Sequence, residues 1–549
     1  MSSIFDILNT GREGMLAHQI ALQITGQNIA NLNTEGYSRQ RVEFQTSPTG
    51  AGVSIDYIRR QRDLFMDVQL TSQNSKLGSA SSLAESYTQI EQIFNEINLK
   101  GISSSFSDFF KAIQDLTQNP GGVAERESVR SMGNNFAHSF KKTFDQLRSV
   151  QKNADTQIKE VVSQINTILN GISQLNKNIV ESNQIAYNQN ELLDQRQKLI
   201  NQLAEYIPVN TISNENGAIT VLGFGGMTLV DGAYSRKLAT RVSDNNTGFV
   251  DVFYISASGL EDKITERIKD GKLGGYIKVR DEILPQEMGK LDYLAAKFVN
   301  EFNRIHKNGV GLDGVSGRNF FNPLSVYWNF DSENTGGAAI SNSNISDTSL
   351  LTFHKYELRF SDSSTFDVVD TTTGLNVLSS QTYISGNPIS FDGMSITISN
   401  DTGSPSTGDI FYIDSFTNTS KNVGLSTEVS SSLNAIAGGY TSEPGDNRNA
   451  LDLVSLKSSL IFNDGTATFE DFYRSQVTLV GINAQQSLRD QEIQDEVTSQ
   501  IKLFIDSISG VSLDEETANI IRFQHAYEAS AKVVSVVDEL MTTIIDMVK

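Results

Sequence analysis

The feature that most constrains this chain is a row of apolar side chains that recurs every seven residues near its C-terminus. One position of the repeat holds Ile520, Tyr527, Val534, Met541 and Val548, and the position three residues later holds Phe523, Ser530, Val537 and Ile544. This spacing predicts a helix with a single apolar seam, as in coiled coils. Gly510 followed by the capping box Ser512–Glu515 marks the predicted start of that helix. The C-terminal arm must therefore pack against another helix.

The N-terminal end of the chain mirrors this pattern. A helix is predicted over 3–31, with Ser3 as its cap and Asp6 three residues later. Its row at spacing seven consists of Leu8, Met15, Leu22 and Ile29. Asn31, Asn33 and Gly36 end the helix, because Asn and Gly accept left-handed backbone geometry. Burying these seams does not by itself offset the cost of ordering the backbone, so we expect both arms to be loosely ordered in the monomer and to fold when neighbouring helices cover them.

Between the arms, helical and β-type segments alternate. Helical periodicity covers 123–205, 281–306 and 447–507. Period-two alternation, which predicts strands, occurs at Ala218–Leu222, Phe249–Tyr254, Tyr356–Phe360, Ser395–Ile398 and Ile410–Ile413. At 549 residues the chain is also too long for a single core.

The predicted fold class is therefore α+β and multidomain, with a long helical-bundle or coiled-coil axis formed by both termini and with inserted, mainly-β domains. The predicted domains are an axial coiled coil (1–40 with 508–549), a helical bundle (41–206 with 265–323 and 441–507), a small β region packed on the bundle (207–264) and an outer β domain (324–440).

Composition limits the possible function. A formal net charge of -21 disfavours binding to a phosphate backbone. The chain has no cysteine, which excludes disulfides, Cys-based zinc sites and thiol nucleophiles. We expect no transmembrane helix and no Sec signal, because there is no run of 18 apolar residues and the start lacks a basic and an apolar region. An extracellular location would then require another export route.

Catalytic motifs are missing from the sequence. The five histidines are scattered, with no metal-ligand spacing, and no nucleophile elbow or P-loop occurs. The runs Gly223–Gly226 and Asp331–Gly336 are interpreted as turns. Glu515 and Glu516 are expected to complement the dipole of a helix start. Arg59, Arg60 and Arg62 form a short basic cluster, interpreted as a solvated or inter-subunit face. We predict a protein that is not an enzyme and has no cofactor and no metal site.

The segment from Gln27 to Arg39, including Asn31, Asn33, Gly36 and Tyr37, resembles the signature shared by flagellar rod, hook and hook-associated axial proteins. In that family it ends the first axial helix, and Tyr37 could anchor the turn. The stretch from Gly510 through Ala531, with Phe523 and Tyr527, resembles the terminal helix of the hook-associated protein 1 family. Strong similarity covers roughly 1–65 and 505–549; the bundle matches in pattern, and the β insertions match only in kind.

The resemblance implies a structural junction protein that joins the flagellar hook to the filament. It implies export through the flagellar type III apparatus, an extracellular location and assembly by packing of the terminal helices. It also implies as partners further copies of the chain in a ring, the hook protein, the second hook-filament junction protein and a cytoplasmic export chaperone on the C-terminal helix. No nucleic acid and no membrane insertion are expected.

Two alternatives remain. The chain is another axial component, such as a hook or distal-rod protein, or it is an enzyme, such as a hydrolase, with its site in the β insertions.

Overall fold

The computed structural model describes residues 2–34, 36–47, 52–96, 101–182, 189–243 and 248–548. The first helix, α1 (Ser2–Ala30), packs antiparallel against the last, α12 (Leu513–Val548), so that the two chain ends form one arm. Helical and β segments lie between them. The predicted fold class, α+β with a helical axis formed by both termini and inserted mainly-β domains, is confirmed.

The helices between the two ends build a bundle. They are α2 (Leu64–Phe94), α3 (Ile102–Gln118), α4 (Val123–Ser182), α5 (Gln189–Tyr206), α6 (Gly271–Lys278), α7 (Leu284–Asn308), α8 (Thr419–Asn422), α9 (Thr427–Ser431), α10 (Arg448–Ser455) and α11 (Phe469–Ser509). Phenylalanines from α3, α4, α7 and α11 fill its core, and the rings of Phe106 and Phe469 stack with centroids 4.2 Å apart. Close aromatic packing of this kind gives the bundle a fixed internal arrangement.

The prediction of one helix over 123–205 was wrong. Residues 183–188 lie outside the described residues, and the chain on either side forms two helices, α4 and α5, that pack on each other. Arg196 of α5 donates from Nη1 to Asn176 Oδ1 of α4 at 2.8 Å. These two residues are 20 apart in sequence, and their side chains could not meet within one continuous helix. The chain must therefore reverse direction between them.

Helical character was predicted over 447–507, and the structure divides this range into two helices. The short α10 and the long α11 are separated by a turn in which Asn463 and Asp464 have positive φ. Thr468 then caps α11, accepting from Asp471 N while Asp471 bonds back to Thr468 N. A local turn and a helix cap therefore divide this segment into two helices.

The strands are antiparallel throughout the described sheets. They are β1 (Gln40–Thr46), β2 (Val53–Arg60), β3 (Val209–Ser213), β4 (Ile219–Gly223), β5 (Met227–Asp231), β6 (Tyr234–Ser235), β7 (Lys237–Val242), β8 (Val250–Ile255), β9 (Glu261–Lys263), β10 (Tyr327–Phe330), β11 (Ala338–Ile345), β12 (Tyr356–Asp362), β13 (Thr365–Asp370), β14 (Leu375–Thr382), β15 (Pro388–Phe391), β16 (Met394–Asn400) and β17 (Ile410–Asp414).

Two small sheets pack on α4 and α5. Their strand orders are β3-β4-β5-β6 and β7-β8-β9. Asn166 of α4 bonds to both backbone groups of Leu238 at 2.8 Å, and Asn176 donates to the carbonyl oxygen of Ile219 at 2.9 Å. The glycine run Gly223–Gly226 forms the predicted tight turn, between β4 and β5. Polar side chains of α4 thus hold both sheets on this helix by hydrogen bonds.

The outer β domain consists of two further sheets that face each other. Their orders are β10-β17-β12-β13-β14 and β11-β16-β15, and buried residues from both form one core. Asp292 of α7 fixes the return of the chain, because it accepts hydrogen bonds from Asn418 N at 2.9 Å and Ser420 N at 2.8 Å. Burial raises the pKa of this carboxyl group to about 6, although these backbone bonds oppose the effect.

The structure differs from one predicted domain boundary. The prediction ends the outer β domain at residue 440, whereas Val429, Ala435 and Ile436 belong to the core of the bundle. The chain has therefore returned to the bundle shortly after β17. The remaining domain boundaries stay predictions.

Candidate assembly site on the paired terminal helices

The contact between α1 and α12 is formed by small residues. A Cβ atom on Gly11 would lie 2.8 Å from Val534 Cγ2, and one on Gly14 would lie 2.8 Å from Ser530 Oγ. Ala17 and Ala21 continue this row and are fully buried. Small side chains let two helix backbones approach closely, so the row sets the distance between the arms. The sequence reasoning gave weight to large apolar residues and missed the glycines, although their three- and four-residue spacing with the alanines was visible.

The assembly residues predicted on α1 lie beside this contact. Leu8, Met15, Leu22 and Ile29 are each half-buried, at the edge of the row of small residues. On α12 the predicted residues divide into three groups: Val537 is fully buried, Ile544 is exposed, and the others, Ile520, Phe523, Tyr527, Val534 and Met541, are half-buried. The structure brings most of them to one pair of helices, and their part in assembly stays a prediction.

A second apolar row on α12 flanks the contact with α1 and stays largely exposed within the described chain. It consists of Val533, Val536, Leu540, Ile544 and Met547, whose exposed fractions run from 40% to 80%. Phe5, Ile7 and Leu16 add exposed apolar surface on α1. Contiguous exposed apolar surface of this kind marks sites where other proteins bind.

The hairpin β1–β2 runs along α1 from Asn28, which donates to the carbonyl oxygen of Gln40, toward Thr10. At its end, Gly52 has a φ of 97° and lies so close to the helix that a Cβ atom there would be 3.1 Å from Thr10 Cα. His18, Phe44 and Phe523 form an aromatic cluster between hairpin and arms, with the His18 and Phe44 ring centroids 5.6 Å apart. Burial lowers the pKa of His18, which favours the neutral ring in this apolar setting.

The end of α1 follows the prediction. Asn31 N bonds to the carbonyl oxygen of Gln27, Thr34 Oγ1 donates to Asn31 Oδ1, and Gly36 adopts a φ of 83°. Asn33 is exposed and makes no described side-chain bond. Tyr37 anchors the turn by donating from its hydroxyl to Asn28 Oδ1 at 2.8 Å. Burial, followed by the negative charge of Asp194, raises the pKa of Tyr37 to about 12.

A buried polar network joins the arms to each other at the same place. Asn28 Nδ2 donates to Glu516 Oε2 at 3.0 Å, and Arg39 pairs with both Glu515 and Glu516 at 2.6 Å. Burial alone would lower the pKa of the Arg39 guanidinium, but the hydrogen bonds to the two glutamates outweigh it and raise the pKa. The two glutamates therefore do more than complement a helix dipole: they tie α12 to the turn after α1.

Asp194 of α5 joins this network to the bundle. It accepts from Ser38 Oγ at 2.7 Å and Ser38 N at 3.0 Å, and it pairs with Arg60 at 2.7 Å. Arg62 pairs with Asp67 at the start of α2. Two members of the predicted basic cluster thus hold the hairpin on the bundle, while Arg59 remains exposed. Sequence reasoning missed Asp194, because a single acidic residue on a polar helix carries no distinguishing signal.

Nothing in the described residues resembles a catalytic or metal centre. No group of three His, Asp or Glu side chains is arranged there to hold a metal ion. The large groove where the arms meet the bundle is lined mainly by the polar network described above. Among the helices that the structure describes, none has both the length and the hydropathy that crossing a membrane requires.

Known proteins resemble this chain at its ends, in its bundle and along its whole length. Residues 87–321 match the family model of the flagellar hook-associated protein FlgK helical domain. Residues 506–547 match that of the flagellar basal body rod FlgEFG protein C-terminal, and residues 8–37 match that of the flagella basal body rod protein.

Flagellar hook-associated protein 1 of Escherichia coli (strain K12) is 28% identical over 554 residues, covering 98% of this chain and 99% of the relative. The protein of the same name from Bacillus subtilis (strain 168) is 26% identical over 585 residues, covering 100% and 99%. A solved structure of the flagellar hook junction protein FlgK from Burkholderia pseudomallei shares the fold, with a TM-score of 0.69, 19% identity and coverage of 80% of this chain and 100% of that chain. With its ends paired beside a helical bundle of this type, the chain resembles the flagellar hook-associated proteins 1 along its whole length and the FlgK helical domain over its bundle.

Proposed function

We propose that this chain is the structural subunit that joins the flagellar hook to the filament and that it assembles through its terminal helices. The observation that carries this proposal is the second apolar row of α12. Val533, Leu540 and Met547 are exposed although the same helix already packs on α1. A helix with apolar side chains on two faces needs a second helix to cover the outer face. In an axial assembly, terminal helices of neighbouring subunits would supply it.

The proposed mechanical role follows from the contrast between the bundle with its β domains and the arms. The phenylalanine core and the antiparallel sheets are held within one chain, so they can transmit load as a unit. The arms are tied to the bundle by the network around Asp194 and Arg39. A subunit of this form can connect a bendable hook to a stiffer filament, because its arms follow their neighbours while its bundle keeps its shape.

We further propose that subunits pass through the flagellar type III apparatus and then assemble outside the cell as a homo-oligomeric ring. The hook protein would lie on one side and the second hook-filament junction protein on the other. A cytoplasmic export chaperone would cover α12 before export, because exposed apolar rows promote aggregation. Neither nucleic-acid binding, membrane insertion nor catalysis belongs to this proposal.

Another axial role, as a hook or distal-rod subunit, draws support from the terminal matches alone, since residues 8–37 and 506–547 fit rod-protein models. The helical domain over 87–321 favours the junction role instead. Electron microscopy of a strain lacking the chain separates the two. Loss of a junction protein should leave complete hooks without filaments, with filament protein in the medium. Loss of a hook or rod protein should leave incomplete hooks.

Deletion of residues 520–549 tests the role of the arm. The shortened chain should keep the bundle and the β domains folded, because their cores contain no residue of α12. It should fail to restore filaments in the deletion strain. Normal filament attachment by this variant would contradict assembly through the terminal helices, and circular dichroism of the purified variant controls for folding.

A further inference from the structure

The β1–β2 hairpin has an outer face that its own chain does not cover. Register places Arg41 opposite Arg59 and Glu43 opposite Tyr57. Because side chains alternate along a strand, these four residues share one side of the hairpin, while Gln40 and Val42 on the other side are buried. Arg41, Arg59 and Tyr57 are exposed, and we call this set, with Glu43, the arginine face.

The charges of the arginine face are not balanced. Glu43 Oε1 lies 3.3 Å from Arg59 Nη2 and 3.9 Å from Arg41 Nε, so one carboxylate is shared by two guanidinium groups. Like charges directly opposite each other destabilise an antiparallel pair. Arg39 and Arg60 differ from the arginines of the outer face, because each has a carboxylate partner at 2.7 Å or less. The two guanidinium groups of the outer face therefore share the single carboxylate of Glu43, and the exposed Asp56 lies beside Tyr57 in the bulge of β2.

A complementary surface lies on α11. The buried Thr498 and Ile501 and the bond from Gln73 to Gln494 show which side of α11 faces α2. Helical periodicity places Glu492 and Glu496 on the opposite side, with Ile493 on the flank beside them, and all three are exposed. We call this set the acidic face. No ion pair involves Glu492 or Glu496 within the described part of the chain, and residues 489–497 together hold one arginine and four carboxylates.

The two faces cannot meet within one molecule. The backbone N–H of Arg39, at the base of the hairpin, bonds to the carbonyl oxygen of Ser509 at the end of α11. Thirteen residues of helix separate Glu496 from Ser509, a distance of about 20 Å. The hairpin then runs away from the bundle toward Thr10 of α1. No arginine side chain spans that gap, so any contact between the faces must join two copies.

We propose that the arginine face of one subunit docks on the acidic face of a second copy of this chain. Arg41 and Arg59 would pair with Glu492 and Glu496, and the ring of Tyr57, 48% exposed, would pack on Ile493. Arginine and tyrosine are the residue types that contribute most to binding at protein interfaces.

The contact is head-to-tail, because each copy offers two different faces, and it needs neighbours offset along the molecule by about 20 Å. The inference rests on the proposed function, and it specifies a lateral contact outside the terminal helices.

Cysteine pairing tests the contact directly, since the native chain has no cysteine. The full-length double variant Arg59→Cys/Glu496→Cys is expressed in the deletion strain, and isolated hook-filament structures are oxidised. Disulfide-linked dimers and longer ladders should appear, and the same protein as a dilute monomer should give none. The matched control is Arg59→Cys/Asp145→Cys, which pairs the hairpin with an exposed carboxylate position on α4.

A charge exchange adds a functional measurement. The Arg41→Glu/Arg59→Glu variant should lower the number of attached filaments per cell by about tenfold or more, and adding Glu492→Arg/Glu496→Arg should restore it. Reversing two exposed lysines elsewhere, Lys421→Glu/Lys457→Glu, is the control and should change little.

The outcomes separate this inference from the proposed function. If filaments attach but no ladder forms, or if the charge exchange does not restore attachment, the docking is overturned and the junction role stands. Cross-links to the hook protein or to a chaperone, without dimers of this chain, also overturn it. If the strain lacking the chain still attaches filaments, it is the junction role that fails.

Discussion

The bundle core and the paired terminal helices bury apolar surface in opposite ways. In the bundle, large rings such as Phe106, Phe298 and Phe302 are fully enclosed by their own chain. In the arms, small residues such as Ala17 and Ala21 are enclosed, and many large apolar residues, including Phe5, Leu16 and Leu540, are exposed. The bundle therefore carries its stabilisation within one molecule, whereas the arms depend on neighbours for most of theirs.

The largest effect is expected in the bundle core. Phe298 packs against Phe106, Phe136 and Phe469, with ring centroids 5.1 to 5.8 Å away. Phe298→Ala should lower the free energy of unfolding of the bundle by about 3–5 kcal/mol, because it leaves a cavity that rigid neighbours cannot fill. Denaturant unfolding followed by circular dichroism measures this. Phe5→Ala, at a half-exposed site on α1, is the control, and equal losses in the two variants would contradict the comparison.

The pH dependence should have opposite signs in the two regions. Asp292 in the bundle has a pKa raised from 3.8 to about 6, so the folded chain holds this proton more tightly than the unfolded chain. Stability should then fall as pH rises through this window, by up to about 3 kcal/mol. Asp292→Asn should remove that slope in unfolding measurements between about pH 3 and about pH 7, a range that brackets both values.

His18 in the arms has a lowered pKa, so the folded arms hold a proton less tightly than the unfolded arms. Their stability is present above the ordinary value of 6.5 and is lost as pH falls below it. After correction for the intrinsic pH dependence of amide exchange, the protection of α1 and α12 amides should therefore decrease on acidification, and His18→Phe should reduce this change. If the corrected protection of the arms increases on acidification, the assigned role of His18 is wrong.

A smaller effect is expected where the arms approach each other. Gly11→Val would place side-chain atoms where Val534 already lies, and overpacking of this kind costs about 1–3 kcal/mol. The loss should appear as faster hydrogen exchange in α1 and α12, with no change in the unfolding of the bundle. Gly26→Ala is the matched control, because a Cβ atom there meets no other atom within 4 Å. Altered unfolding of the bundle by Gly11→Val would show that the two regions are not independent.

The smallest effect on the monomer is expected at the outer row. Leu540→Ser replaces a half-exposed side chain and should change monomer stability by less than about 0.5 kcal/mol. Filament attachment in the deletion strain should nevertheless decrease, because the lost contact is with a neighbour. Val537→Ser, on the buried side of the same helix, should instead speed amide exchange in the monomer. Full attachment with Leu540→Ser would remove the outer row from the assembly surface.

Sequence reasoning was most accurate where the chain's local chemistry decides the structure. The end of α1 at Asn31 and Gly36 and the turn at Gly223–Gly226 were predictable, because backbone preference acts over a few residues. A single helix was predicted over 123–205 and helical character over 447–507, because apolar periodicity extends through both ranges and does not locate the breaks. The break between α10 and α11 is explained by the turn with positive φ at Asn463 and Asp464 and by the Thr468 cap.

By itself the sequence determined that the ends are amphipathic helices, that β insertions interrupt a helical frame and that the chain resembles flagellar axial proteins. These properties follow from residue spacing and local motifs. Only the tertiary structure decided which face of each arm is covered. Gly11 and Gly14 admit α12 closely enough to place Leu8 and Met15 at the edge of the contact, and Asp194 receives Ser38 and Arg60 from far along the chain. Such pairings depend on distances between remote segments, which periodicity along one helix does not contain.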